Sequence, residues 1–292
     1  MRQPAVPPQV LLLGSIGSVQ FGAAFANKLF AQAGPAGVVL LRIALSALVL
    51  TAAMRPSLRN RSRGDLLAVL TYGLILGSMN WAFYESMARL PISVAVTIEF
   101  IGPLGVAVAG SRRLLDVLWV VLAGGGVVLL AVHGDQHGIS ALGVLFALIA
   151  GCLWAGYILT SQRVGRTFAQ LDGLAIAMCI GIVVILPAGI VQGGSALLRP
   201  SVLGGGLLVA MLSSIIPYSL ELTALRRLSA ATFGLLMSLE PAVAAVAGIL
   251  VLGQDLHTVT VIAIVMVVIA SAGTTLASRR APVPLDVAAG PQ

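Results

Sequence analysis

The sequence predicts an all-α integral membrane protein, ten transmembrane helices arranged as two inverted five-helix repeats. Three observations carry this prediction: an extreme apolar composition, ten apolar runs of spanning length, and basic residues gathered on alternate connections. The 292 residues are 59% hydrophobic and 9% charged, with a mean hydropathy of +1.05. Soluble domains carry about 25% charged residues. A water-soluble chain of this composition would expose large apolar patches, so lipid is the solvent that fits.

A spanning helix needs about 20 mostly apolar residues. The runs that qualify are 9–31, 35–54, 65–87, 91–110, 116–133, 141–162, 171–192, 202–224, 230–252 and 257–278. The connections between them are too short to hold a soluble catalytic domain. No small-residue cleavage site follows the first run, which is read as a retained helix. The polar, proline-containing segment 279–292 is predicted to be a disordered cytoplasmic tail.

Charge sets the expected orientation. Arg2, Arg55, Arg59, Arg61, Arg63, Arg112, Arg113, Arg163, Arg166, Arg226, Arg227, Arg279 and Arg280 fall at the two termini and after the even-numbered runs. The other side holds only Lys28, Arg89 and Arg199, while Arg42 lies inside the second run. The positive-inside rule then puts both termini in the cytoplasm. The formal charge of +7 would suggest a nucleic-acid partner in a soluble protein. Here the arginines form short clusters without interleaved aromatics, so they read as topology signals and no nucleic-acid partner is expected.

Several chemistries find no support. Cys152 and Cys179 sit in apolar runs without metal or disulfide spacing, and His133, His137 and His257 form no ligand motif, so no metal or cofactor is expected. Gly124–Gly126 and Gly204–Gly206 lack a P-loop lysine, and Gly73 and Gly77 have the spacing of a helix-packing face. There is no nucleophile–base arrangement with a credible context, so the chain does not read as an enzyme.

The repeat is faint. At an offset of 138, Pro103 matches Pro241 and the AVAG of 107–110 matches 245–248; at an offset of 134, Gly17 and Gly22 match Gly151 and Gly156. The halves would be 9–133 and 141–278. Five helices per half insert the second copy upside down, the arrangement that lets secondary transporters alternate around a shared central site.

Polar residues inside the runs need a reason, because an ionisable side chain at the bilayer centre costs at least about 2.5–3.5 kcal/mol. Glu99 sits near the middle of its run, among Ile98, Phe100 and Ile101. It could hold a substrate ammonium group, take up a proton, or pair with Arg42. Glu240 precedes Pro241, and Pro103 follows Glu99 by four residues. Each proline frees a backbone carbonyl, so each site is either a cavity wall or a packing kink. Arg42 could snorkel outward, pair with Glu99 or Glu85, or bind a substrate carboxylate. Asn80 and Tyr84 share a helix face, Glu85 and Arg89 have ion-pair spacing, and Trp154 with Tyr157 and Tyr218 with Glu221 suggest further cavity wall.

The segments QFGAAFANKLF (20–30), MNWAFYESMARLPISVAVTIEFIGPL (79–104), SRRLLDVLWVVLA (111–123), CLWAGYILTSQR (152–163) and IPYSLELTALRRLSAATFGLLMSLEPA (216–242) resemble the drug/metabolite transporter superfamily, EamA type. Within it they are similar to the threonine/homoserine exporter group, from about residue 11 to residue 278. The resemblance implies a ten-helix inverted-repeat fold with a central cavity. It also implies export of small amino acids across the cytoplasmic, or inner, membrane, coupled to the proton gradient. A multidrug or other metabolite exporter of the same fold is the alternative. For a zwitterionic substrate, Glu99, Asn80, Tyr84, Arg42, Trp154, Tyr157, Tyr218 and Glu221 are the expected binding residues, and Glu99 and Glu240 the expected proton carriers.

Overall fold

The computed structural model describes residues 6–59, 61–109, 114–133, 140–168, 171–225, 227–228 and 230–279. Arg2, Arg112, Arg113, His137, Arg226, Arg280 and nearly all of the predicted tail lie outside the described residues. The α-helices among the described residues are α1 Pro8–Met54, α2 Arg63–Met87, α3 Ile92–Glu99, α4 Ile101–Ala109, α5 Leu114–His133, α6 Ala141–Thr167, α7 Asp172–Gly193, α8 Pro200–Ala210, α9 Ile216–Leu225, α10 Ala230–Met237, α11 Glu240–Leu252 and α12 Thr258–Arg279. Among the described residues, seven helical segments are long and apolar enough to cross a membrane, and Ile92–Val106 and Val117–Leu130 are shorter apolar stretches.

The helix α1 merges two predicted runs. Straight, its 47 residues would extend about 70 Å, more than twice the hydrocarbon thickness. It bends at Gly34, whose φ of 65° and ψ of 161° are not helical. Pro35 disfavours helix at the residue before it, and only glycine takes this backbone conformation without strain. The Gln192 side chain fills the corner: the Ala36 amide donates to its Oε1 at 2.9 Å.

Three other runs are broken inside, each near a proline. The fourth is interrupted between Glu99 and Ile101, ahead of Pro103. The ninth is interrupted between Met237 and Glu240, ahead of Pro241. The eighth keeps its course but widens into a π-helical turn, Met211–Ile215, just before Pro217. Proline lacks the N–H that would close the preceding turn, so its carbonyls must find other donors.

The bundle is apolar outside and polar within. Leu48, Val183, Val191 and Leu250 are exposed, whereas Gln20, Arg42, Asn80, Glu85, Glu99 and Glu240 are buried. This inversion of the soluble pattern suits a lipid solvent, in which polar groups turn inward. Helices meet at small residues. A Cβ on Gly77 would lie 2.7 Å from the Gly181 carbonyl oxygen, and one on Gly73 would lie 2.6 Å from Ile180 Cβ, so the predicted face is where α2 meets α7. Gly126 approaches Ala263 of α12, and Gly205 and Gly206 approach Leu29 and Leu41 of α1. Gly77→Val is therefore expected to destabilise the protein by about 1–3 kcal/mol through overpacking. Gly124→Ala, where an added Cβ meets nothing within 4 Å, should be neutral. Thermal unfolding of detergent-purified protein followed by size-exclusion chromatography checks both.

Candidate functional site

A cavity of about 490 Å³ lies inside the bundle, walled by side chains from α1, α2, α3, α4, α6, α9, α10, α11 and α12 and by Ser213 of the π-turn. It takes in the end of α3 and the start of α4, the middle of α6, the start of α9 and the end of α10. Its charged and amide groups are Gln20, Arg42, Asn80, Glu99, Glu221 and Glu240. Around them stand Phe83, Phe100, Trp154, Tyr157, Tyr218 and Phe233, with Ser161, Ser271, Thr274 and Thr275 completing the polar wall.

The local breaks position the charged groups. Glu99 is the last residue of α3, where the Pro103 interruption leaves its carbonyl outside the regular ladder. Helix α6 comes close here because position 151 is glycine: a Cβ there would lie 2.8 Å from that carbonyl oxygen. Glu240 opens α11 directly after the second break. No hydrogen bond or ion pair to a described residue holds either carboxylate.

The π-turn serves Arg42. The carbonyls of Leu212 and Ser213 stand five and four residues before Pro217, which has no N–H for them. Ser18 Oγ donates to Leu212 O at 2.6 Å, and Arg42 Nη2 donates to Ser213 O at 2.8 Å. Arg42 Nε donates to Ser214 Oγ at 3.2 Å and Nη1 to the Tyr84 hydroxyl at 3.3 Å. The guanidinium also stands 5.6 Å from the Tyr84 ring centroid. Three of its five N–H groups are thus committed to neutral acceptors, and two remain. Arg42 neither snorkels nor forms an ion pair with Glu99 or Glu85; the freed carbonyl of the π-turn draws it inward. Nearby, Ser15 Oγ donates to Glu221 Oε1 at 2.7 Å and ties that acid to α1.

Tyr84 is a correction. The shared face with Asn80 suggested a wall position, but Tyr84 is fully buried behind Arg42 and does not line the cavity. It packs on Phe30 with ring centroids 5.6 Å apart. Asn80 lines the cavity while its Nδ2 donates to Leu76 O within its own helix. Tyr157 stacks on Tyr72 at 5.1 Å, and Trp154 meets Phe100 edge-on at 5.6 Å. Residue patterns missed Gln20, Ser161, Ser213, Ser271, Thr274 and Thr275. Gln20 carries the same signal as Asn80, an amide inside an apolar run. Isolated serines and threonines carry none, since they bond back to their own helix, as Thr275 Oγ1 does to Ser271 O.

Glu85 and Arg89 belong to a different assembly, at the C-terminal end of α2 beyond the cavity residues Asn80 and Phe83. Arg89 Nη1 donates to Glu85 Oε2 at 2.6 Å, the i,i+4 pair that the spacing predicted. Trp81 Nε1 and Gln192 Nε2 both donate to Glu85 Oε1, at 3.2 and 3.1 Å. Asn27 Nδ2 donates to Met87 O at 2.8 Å and the Ile92 amide to Gln254 Oε1 at 3.1 Å, so α1, α2, α3, α7 and the α11–α12 connection are tied together there. None of these residues lines the cavity.

This arrangement can be set beside known proteins. The threonine/homoserine exporter RhtA of Salmonella typhimurium (strain LT2) is 44% identical over 282 residues, covering 96% of this chain and 95% of the exporter. The chain belongs to the EamA-like transporter family. The family's profile matches residues 141–276 of this transporter, and the exporter alignment carries the relationship through the other half. The RhtA protein of Escherichia coli (strain K12) is 42% identical over 280 residues, again covering 96% of this chain and 95% of the relative. A crystal structure of a protein only 18% identical shares the fold, with a TM-score of 0.63 over 93% of this transporter and 98% of the other chain.

Tyr84→Phe deletes one acceptor of Arg42 without changing the cavity wall. Interhelical polar contacts in membrane proteins are worth about 0.6–2 kcal/mol, so a stability loss in that range is expected. Unfolding of the detergent-solubilised variant by a graded increase in denaturing detergent measures it.

Proposed function

We propose that this transporter exports small hydroxylated amino acids such as threonine and homoserine across the cytoplasmic membrane, by alternating access and at the expense of the proton gradient. One observation supports the substrate class most directly. A single cavity holds a buried arginine without an acid partner and two buried glutamates without a basic partner, among the described residues. Isolated buried charges are costly, and an amino acid carries the complement of both. In this reading the two free N–H groups of Arg42 take the carboxylate, and Glu99 takes the ammonium group. Glu240, with Glu99, carries protons. The cavity volume falls within the range of about 300–1,000 Å³ usual for small-molecule sites. The names of the relatives support the same substrates.

The architecture we adopt is ten passages in two inverted halves, with both termini cytoplasmic. Counting α1 twice at Gly34 and adding the two shorter apolar stretches to the long ones yields ten. Packing is consistent with a two-fold relation. The first half of α1 sits on the π-turn and α9 through Ser15, Ser18 and Gly22, as α6 sits on α2 through Gly156. Leu12 and Ile16 of α1 meet α10 and α11, as Gly151 of α6 meets the α3–α4 break. Helices α3 and α11, and α5 and α12, pair with their own counterparts. With this orientation the cavity is central and the Glu85 assembly lies on its outer side, which we read as the closed side. The aromatic wall is the feature that favours the second reading, a multidrug or other metabolite exporter. An unpaired buried Arg42 and unpaired acids fit a zwitterion better.

Counterflow of labelled threonine in proteoliposomes tests the substrate roles. Loss of a hydrogen-bonded charge contact costs about 1.5–3 kcal/mol, so Arg42→Gln and Glu99→Gln should each lower the rate about tenfold or more. Wild-type rates in both variants would refute the assignment. Gln192→Leu, which removes the amide linking Glu85 to the α1 bend, should loosen the outer closure. Its expected signature is faster labelling of a cysteine placed at Asn80 by a membrane-impermeant thiol reagent added from outside, in a background with Cys152 and Cys179 replaced by alanine.

A further inference from the structure

Gln20 is a side chain whose chemistry remains unused. It lines the same cavity as Arg42 and Glu99, and only 3% of its surface is exposed. Its Oε1 is buried with no hydrogen-bond partner among the described residues. A buried amide left unsatisfied costs free energy that a well-packed apolar residue would not, so the position calls for a partner.

Resting on the amino-acid reading above, we infer that Gln20 is the specificity residue that reads the side-chain hydroxyl of the substrate. The charged ends of a zwitterion have stronger partners elsewhere. A carboxylate binds the guanidinium of Arg42 in preference to a neutral amide, and an ammonium group binds Glu99. The amide of Gln20 is left for a neutral group that donates and accepts. A hydroxyl does both, and it therefore matches either end of the amide. The other buried polar atom of the wall without a hydrogen-bond partner among the described residues, Ser213 Oγ, does not compete. A Cβ built on Gly22 would lie 2.2 Å from it, so that hydroxyl is turned into the contact between α1 and the π-turn. Gln20 sits on the α1 stripe that continues to Asn27, which bonds to the end of α2, so it is held on a packed helix face.

Hydroxyl recognition makes a sharp demand. A site with a hydrogen-bonding group for a substrate hydroxyl rejects the isostere that lacks it, because the group is then left unpaired. Wild-type protein in proteoliposomes should therefore bind threonine more tightly than valine, and homoserine more tightly than norvaline, by about tenfold or more in competition against labelled threonine counterflow. Gln20→Met keeps the length and removes the amide. It should bring each pair to within about threefold, mainly by weakening the hydroxylated member, with little change for valine or norvaline. Gln20→Asn, which retains the amide on a shorter stem, should keep part of the preference and covers the case in which the methionine variant does not fold. Wild-type protein that takes valine as well as threonine would overturn the inference, and so would a Gln20→Met variant with its preference intact. Failure of the wild type to bind any of the four amino acids would instead sink the substrate reading on which the inference stands.

Discussion

A charge inside a bilayer must find either a partner or water, and among the described residues Arg42, Glu99 and Glu240 are buried without an oppositely charged partner. Arg42 is held by a carbonyl, a serine and a tyrosine, all neutral. Glu99 and Glu240 face the same hollow without an ion-pair partner among the described residues. The contrast with Glu85 is instructive. That acid also lies near a helix end, yet it is neutralised by Arg89 and shared with Trp81 and Gln192. One set of charges holds helices together, and the other faces the cavity.

The proline-associated breaks make this possible. A regular helix buries its own carbonyls and offers nothing to a guanidinium. The π-turn before Pro217 exposes two of them, and α1 answers with Ser18 and Arg42. The breaks before Pro103 and Pro241 put Glu99 and Glu240 at helix ends, where the backbone changes direction. Backbone irregularity at membrane depth is tolerated only where protein or a cavity covers it. Glycines at 22 and 151 then let α1 and α6 close on the π-turn and on the Glu99 break.

Much of this was legible residue by residue. Apolar runs marked the helices because a spanning segment must satisfy its backbone internally and cover itself in hydrocarbon. Ionisable residues within those runs marked the cavity, since lipid excludes them: Glu99, Glu240, Arg42 and Glu221 all reach it. The Glu85–Arg89 pair followed from spacing alone. Tyr84 and Gln20 did not follow. Four-residue spacing gives Tyr84 and Asn80 a common face, but the radial depth of each side chain depends on which helix packs over it, and α1 covers Tyr84 with Arg42 and Phe30.

The sequence by itself determined the solvent, the helical passages, the membership of a transporter class and the identity of the acids and the arginine that hydrocarbon cannot accept. These are properties of single segments against a uniform medium. Only the tertiary structure decided that Arg42 turns inward to a π-turn some 170 residues away, that Tyr84 stands behind it, and that an amide on α1 lines the hollow with its oxygen unpaired among the described residues. Those outcomes depend on which carbonyls a distant proline frees and which glycines let helices approach, and no local pattern encodes either.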